Sequence, residues 1–300
     1  MGVVSALRGA WRKNEAEARG IFNGALPDFV KAAKPRERLG GVPVFCYHLV
    51  EAEDFAADLA YLAGNGYHTL RAQELLEYLR GQRDLPERSV LLTFDDGPRN
   101  FVDVAFPLLV RYQARATAFI APGLHVDATE EHDTAARPMT WQEIGRIHES
   151  GLVEFQSHTL ESRFVPEWPM PAPLSGCRWS IEEPRRGEPL ALREDLVQSR
   201  ERLEARLPGA VVNHLAFPMY LGTERAIEDA KAAGIEACYW GLRAGRALNR
   251  RGDSPFHISR MSDEFLRRLP GSGRLSVGDL VRNRLRRIRS ARAWRQRHAE

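Results

Sequence analysis

Between residues 41 and 262, short apolar runs of strand length take turns with helical stretches, and that alternation restricts the chain to few folds. The runs fall at 42–48, 67–70, 89–94, 116–120, 153–158, 211–217, 236–240 and 256–260. Between them, polar segments with apolar spacing predict helices at 53–64, 71–80, 100–113, 140–150, 191–207 and 223–233. Punctuation agrees with this reading. Gly64, Gly66, Gly151 and Gly234 stand where helices should stop, and Thr140-Trp141-Gln142-Glu143 reads as a capping box. Strands joined through helices pair in parallel, so seven or eight βα units point to an α/β fold, a barrel or partial barrel.

The organisation is one large domain with extensions. Residues 1–40 read as an amphipathic helical extension interrupted by Pro27 and Pro35, and 41–265 as the barrel. Residues 266–300 form a basic helical tail. The stretch 163–190 carries six prolines and is expected to be a long loop over one face. From Arg274 onward nine arginines meet only Asp279 and Glu300, a local charge of +7 in a chain whose total is +3. Leu280, Val281, Leu285, Ile288 and Trp294 accompany those arginines, so residues 274–300 suit an anionic membrane surface as well as packing on the barrel. No base-reading motif accompanies them, and nucleic acid is not expected as a partner. Three widely spaced cysteines give no disulfide framework or zinc knuckle. No apolar stretch suits a signal peptide or a membrane span, so the expected location is cytoplasmic, with a peripheral position at the inner face of the membrane as the tail allows.

Chemistry concentrates where the run 89–94 ends in Asp95-Asp96-Gly97-Pro98. The carboxyl end of a parallel strand is where α/β enzymes place their sites. Two adjacent carboxylates there repel, so one calls for a cation or a proton. Asp-Gly is also an ordinary turn signal, and a pair of turn acids is the plain alternative. His48 and His158 likewise end apolar runs, each with a structural role as a satisfied strand-end histidine as its alternative.

With these elements placed, residues 42–262 resemble the polysaccharide deacetylase family, the carbohydrate esterase family 4-like sugar N-deacetylases. Thr93-Phe94-Asp95-Asp96-Gly97-Pro98 is similar to that family's first motif, Ser157-His158-Thr159 to the start of its second, and Ala216-Phe217-Pro218-Met219-Tyr220 to a variant third. The run ending in His48 resembles the first strand of a branch whose N-terminal strand supplies a histidine. The resemblance implies an irregular (β/α)7 barrel and a metal-dependent hydrolase that removes an N-acetyl group from an amino-sugar-containing substrate. It implies Asp95 as general base for a metal-activated water, Asp96 and His158 as ligands, and His48 as the acid for the leaving nitrogen. The implied cofactor is a divalent metal, zinc first, with iron, cobalt and nickel as other candidates. Pro218, Tyr220 and Trp240 are the expected substrate-binding residues, with the Tyr220 backbone N–H a candidate oxyanion donor and an arginine elsewhere or Trp240 a candidate holder of Asp95.

The chain departs from the pattern in one consequential place. The family's second motif continues to another histidine four residues after the first, and here that position is Ser162. Glu161, three residues after His158, can share one face of a turn with it and is the candidate replacement ligand. If it does not replace the ligand, two other readings follow: a non-catalytic glycan- or partner-binding protein, or a hydrolase of non-sugar amides on the same scaffold.

Overall fold

The computed structural model describes residues 26–127, 137–163, 165, 191–243, 245–280, 282–284 and 286. The predicted loop 163–190 and residues 287–300 of the tail therefore lie largely outside the described residues. The elements follow the predicted order. They are α1 (Asp28–Lys31), β1 (Val44–Tyr47), α2 (Ala52–Gly64), β2 (His68–Leu70), α3 (Ala72–Leu79) and β3 (Ser89–Asp95), then α4 (Phe106–Tyr112) preceded by a π-helical turn (Phe101–Ala105). Next come β4 (Ala116–Ile120), α5 (Trp141–Glu149), β5 (Val153–Ser157), α6 (Leu192–Arg206), β6 (His214–Ala216), α7 (Glu224–Ala232) and β7 (Ala237–Trp240). The last two strands, β8 (Ile258–Ser259) and β9 (Met261–Ser262), are separated by Arg260 alone.

All strand pairs are parallel, in the order β8-β7-β6-β5-β4-β3-β1-β9, with β2 pairing the first half of β3. Because β8 pairs β7 and β9 pairs β1, the segment 258–262 acts as one broken stave that joins the two ends of the sheet. The barrel is nearly closed, and its ring has seven staves. The prediction of a strand at 256–260 therefore needs extending: the stave continues past Arg260 to reach β1.

Side-chain alternation sorts the core into layers. Val44, Leu91, Phe119, Ala216, Ala237 and Tyr239 point into the barrel, while Phe45, Tyr47, Val90, Leu92 and Phe94 pack outward beneath the helices. Helix α3 contributes Ala72, Leu75, Leu76 and Leu79 to the inner cluster, and Arg80 after it pairs with Glu236 at the foot of β7 at 2.6 Å. It thus stoppers the amino end of the barrel. The carboxyl ends of the strands form the open mouth.

Helix α5 starts as its sequence requires: Thr140 Oγ1 accepts from the Glu143 N–H, and Glu143 Oε2 accepts from the Thr140 N–H at 2.7 Å. Residues 1–25 of the predicted N-terminal extension lie outside the described residues, and residues 29–33 are held by two guanidiniums. Arg268 and Arg274 donate to the carbonyls of Phe29, Val30, Ala32 and Ala33, while Phe29 and Val30 enter the core. At the start of the tail, Arg284 pairs with Glu264 at 3.1 Å and Arg286 with Asp54 at 2.6 Å, so this part of the basic segment lies on barrel acids. Among the described residues no helix is long and apolar enough to cross a membrane.

Candidate active site

On β3 the alternation that buries Phe94 outward turns Leu91, Thr93 and Asp95 inward, placing the Asp95 carboxyl at the top of the barrel interior. Its partner comes from the far end of the chain. Arg260 Nη1 donates to Asp95 Oδ1 at 2.6 Å, and both side chains are almost fully buried. Burial alone would raise the Asp95 pKa. The guanidinium of Arg260, with His158 and His48 adding to it, overcomes this and carries the group down to about 2. Asp95 is therefore an ionised acceptor at neutral pH. Of the two holders the sequence offered for Asp95, an arginine elsewhere or Trp240, the structure places an arginine, Arg260 of the closing stave, on its carboxylate. The one sequence signal of Arg260 is a charge inside the apolar run Phe256 to Met261.

Asp96 breaks away from the strand with φ 73, a left-handed conformation that costs a non-glycine residue on the order of 1–3 kcal/mol. That turn separates the two carboxylates. His158 Nε2 lies 3.5 Å from Asp96 Oδ1, and His48 Nε2 lies 4.0 Å from Asp96 Oδ2. His158 follows β5, its own N–H bonded to the Ile120 carbonyl at 2.9 Å. Its Nδ1 donates to the Ala216 carbonyl at 2.9 Å, which orients the ring and leaves Nε2 facing Asp96. Thr159, Ser162, Met219 and Tyr220 share the left-handed backbone of Asp96, so strained loops gather at the ends of β3, β5 and β6.

Tyr220 stands beside Cys46, His48 and Arg260. Its hydroxyl lies 3.7 Å from Cys46 Sγ, its ring meets His48 edge-on at 5.9 Å between centroids, and the Arg260 guanidinium sits over its face at 5.2 Å. Its backbone N–H, however, donates to the Phe217 carbonyl at 3.0 Å and is not available to an oxyanion. Pro218 is buried and starts the tight turn that carries Tyr220. Trp240 is not brought to the site. Parity along β7 sends Ala237 and Tyr239 inward and Cys238 and Trp240 outward, and the indole N–H donates to the Phe256 carbonyl at 2.8 Å. Glu161 also has another engagement, its carboxylate lying on Arg163 Nη2 at 2.6 Å.

Two further residues stand close by. Gly97 combines φ +66 with a close fit, since a Cβ there would lie 2.7 Å from Ile120 Cγ2 and 3.0 Å from His125 Cε1. His125 is buried against it, donates from Nδ1 to the Met139 carbonyl at 2.7 Å, and is driven by burial down to about 4. Asp195 on α6 accepts from the Leu160 N–H at 2.9 Å and so fastens the turn that follows His158. Among the described residues, one set of three His, Cys, Asp or Glu side chains has ligand atoms within 4.8 Å of one another: Cys46, His48 and Asp95. Burial pushes the Cys46 thiol up, so it stays protonated at neutral pH.

The family model for polysaccharide deacetylase matches residues 82–238, which take in β3, both acids, His158 and the turn at Pro218. The chain belongs to the polysaccharide deacetylase family. Over 113 residues it is 34% identical to poly-beta-1,6-N-acetyl-D-glucosamine N-deacetylase of Escherichia coli K12, a match covering 35% of this chain and 17% of that protein. Over 110 residues it is 29% identical to the Staphylococcus epidermidis protein of the same name, covering 37% of each. The chain thus matches between 17% and 37% of the length of these curated relatives. Among solved structures, IcaB from Ammonifex degensii superposes with a TM-score of 0.60 at 24% identity, covering 77% of this chain and 95% of that one. A de-N-acetylase from Aggregatibacter actinomycetemcomitans gives 0.57 at 20% identity, covering 73% and 94%. The deacetylase barrel is the fold of this family member.

Proposed function

We propose that this protein hydrolyses the acetamido group of N-acetylglucosamine units in a glycan, with Asp95 as base and a divalent cation, zinc first, held by Asp96 and His158. The donor set suits such an ion: a carboxylate faces an imidazole nitrogen whose ring proton is committed elsewhere, and two acceptors at 3.5 Å call for a cation between them. When bound, a divalent cation there supplies a Lewis acid for the acyl oxygen and makes a nearby water more acidic.

The chain's own residues do the rest. Asp95, kept ionised by Arg260, accepts the proton of the attacking water as its oxygen bonds to the acyl carbon. The C–N bond then breaks, and the proton returns to the departing nitrogen, leaving acetate and a free amine. His48 and Asp95 itself are the two titratable carriers placed for that return. Tyr220 provides one wall for the sugar.

One observation carries the reading: two carboxylates adjacent in sequence have been given separate environments. Asp95 is buried on an arginine, and Asp96 is turned between two imidazoles. The names of the E. coli and S. epidermidis relatives support a β-1,6-linked N-acetylglucosamine polymer as the first substrate to try. The test is acetate release from β-1,6-linked N-acetylglucosamine oligomers by the zinc-loaded chain, beside its Asp95→Asn variant. Release that the variant lacks supports the hydrolase. Oligomer binding with no acetate released under zinc, cobalt or nickel would overturn it in favour of a glycan-binding member.

A further inference from the structure

We propose that Asn100 is the positioning residue of His48: its side-chain amide pins the loop after β1 to the turn after β3 and so holds the imidazole beside the two acids for the return of the proton. The inference rests on the proposed function for what His48 does there and concerns what puts it in place.

Strands β1 and β3 run side by side as far as Tyr47 and Phe94. Asp96 then takes the left-handed conformation, and the two backbones part just where His48 and the acids have to stay together. Asn100 supplies the next rung. Its Oδ1 accepts from the Val50 N–H at 2.8 Å, and its Nδ2 donates to the Val50 carbonyl at 3.1 Å. A primary amide carries a donor and an acceptor side by side, so it copies the two-bond exchange of a hydrogen-bonded strand pair. The clamp sits two residues after His48 and four after Asp96.

Both ends of the clamp are themselves fixed. Behind Asn100, the Phe101 N–H donates to the Pro98 carbonyl at 2.9 Å, and the Phe101 ring meets Phe94 edge-on at 4.8 Å between centroids. Val50 is buried in the core, whereas Leu49, between it and His48, stands 62% exposed and gives the loop little packing. The hold on His48 therefore passes through Val50. What it places is a ring that reaches both acids. His48 Nε2 lies 4.0 Å from Asp96 Oδ2, a ring nitrogen of His48 stands within 4.8 Å of an Asp95 carboxylate oxygen, and the ring meets Tyr220 at 5.9 Å. Misplacing a reacting group by about an ångström can cost about 10²-fold in rate. Two hydrogen bonds of ordinary strength thus weigh little on the fold and heavily on turnover.

The experiment follows the ring and the rate separately. In the full chain labelled at histidine and tyrosine, nuclear Overhauser contacts between the His48 and Tyr220 rings should be present in wild type and lost in Asn100→Ala, with the His158 ring signals unmoved. On β-1,6-linked N-acetylglucosamine oligomers with zinc, Asn100→Ala should lower kcat by about 10–100-fold and leave KM within about threefold. On a His48→Gln background the same change should cost no more than about twofold, because the residue it positions is already gone. Asn100→Asp is isosteric and still accepts from the Val50 N–H, so it should lie between wild type and Asn100→Ala. Circular dichroism and Tm establish that each variant is folded. Wild-type kcat or an intact ring contact in a folded Asn100→Ala would overturn the assignment, as would an equal loss of kcat in the two backgrounds, the mark of a clamp that acts on the fold alone. If wild type releases no acetate, the proposed function fails, and the ring contact by itself decides whether Asn100 places His48.

Discussion

Arg260 and Asp95, 165 residues apart in sequence, meet at 2.6 Å in the barrel interior, with side-chain exposures of 0% and 3%. The contact ties the closing stave to the central strand and sets the charge of the proposed base at once. A buried ion pair adds little net stability, but removing one partner strands a charge and typically costs about 3–5 kcal/mol. Arg260→Met should destabilise the fold by about that much, read from urea unfolding. It should also raise the Asp95 pKa, because the guanidinium is the largest influence holding it down. The acidic limb of the kcat profile should then move to higher pH. An unmoved limb in a folded variant would show that Arg260 does not govern Asp95.

The two adjacent acids should separate cleanly by mutation. Asp95→Asn removes the proton acceptor and leaves Asp96, His158 and their surroundings in place. Activity should drop by about 10²–10⁴-fold with zinc affinity near wild type. Asp96→Asn should lose zinc and activity together. Calorimetric zinc titration of both variants checks this, and equal loss of metal in the two would mean that Asp95 is a ligand.

The Asp195 carboxyl ties α6 to the turn after His158, and burial, opposed by the Leu160 hydrogen bond and Arg163, raises it to about 7. In an unfolded chain the same group titrates near 3.9, or about that of a free aspartate. Between those values the folded state binds more protons than the unfolded state. Stability from this residue is therefore greatest below about pH 4 and falls as pH rises to about 7. Asp195→Asn keeps an acceptor for Leu160 and cannot ionise. Its stability relative to wild type should improve from pH 5 to pH 8, by no more than about 3 kcal/mol. Parallel urea midpoints for the two proteins across that range would refute the prediction.

How far the sequence revealed this site depended on the range of each signal. Asp95, Asp96, His48 and His158 were legible because each ends a local apolar run, and the ends of parallel strands converge whatever the details of packing. Arg260 was not legible. It lies between two-residue strands that form only because β1 and β7 are both there to pair with them. Trp240 was misplaced for a simpler reason: its strand was recognised but its parity was not followed, and Tyr239 inward forces Trp240 outward. The β6 run predicted at 211–217 shortens to His214–Ala216, since the backbone N–H groups of Val212 and Asn213 donate to the Glu204 and Gln156 side chains. Glu161 satisfied the helical spacing with His158, but Thr159 and Ser162 have left-handed φ, so the turn is not helical and the spacing rule does not apply.

Gly123 offers the most stringent test of that turn. It sits in the short turn after β4, and its N–H donates to the Leu160 carbonyl at 2.7 Å. A Cβ at this position would stand 2.6 Å from the same carbonyl oxygen and 3.0 Å from Glu161 Cγ, distances that the backbone can relieve only by moving. Gly123→Ala should therefore push residues 158–163 away from β4 at a cost of about 1–3 kcal/mol. Because His158 is fixed by bonds to Ile120 and Ala216 on either side of the same turn, the displacement should loosen its hold on the cation. Zinc affinity should fall about 10–100-fold, in the range seen when a ligand loses its supporting contacts. Gly64→Ala, at the end of α2 with nothing near its added methyl group, is the matched control and should leave zinc binding unchanged. If Gly123→Ala binds zinc as wild type does while losing the same stability, the turn after His158 is a structural element with no part in holding the ion.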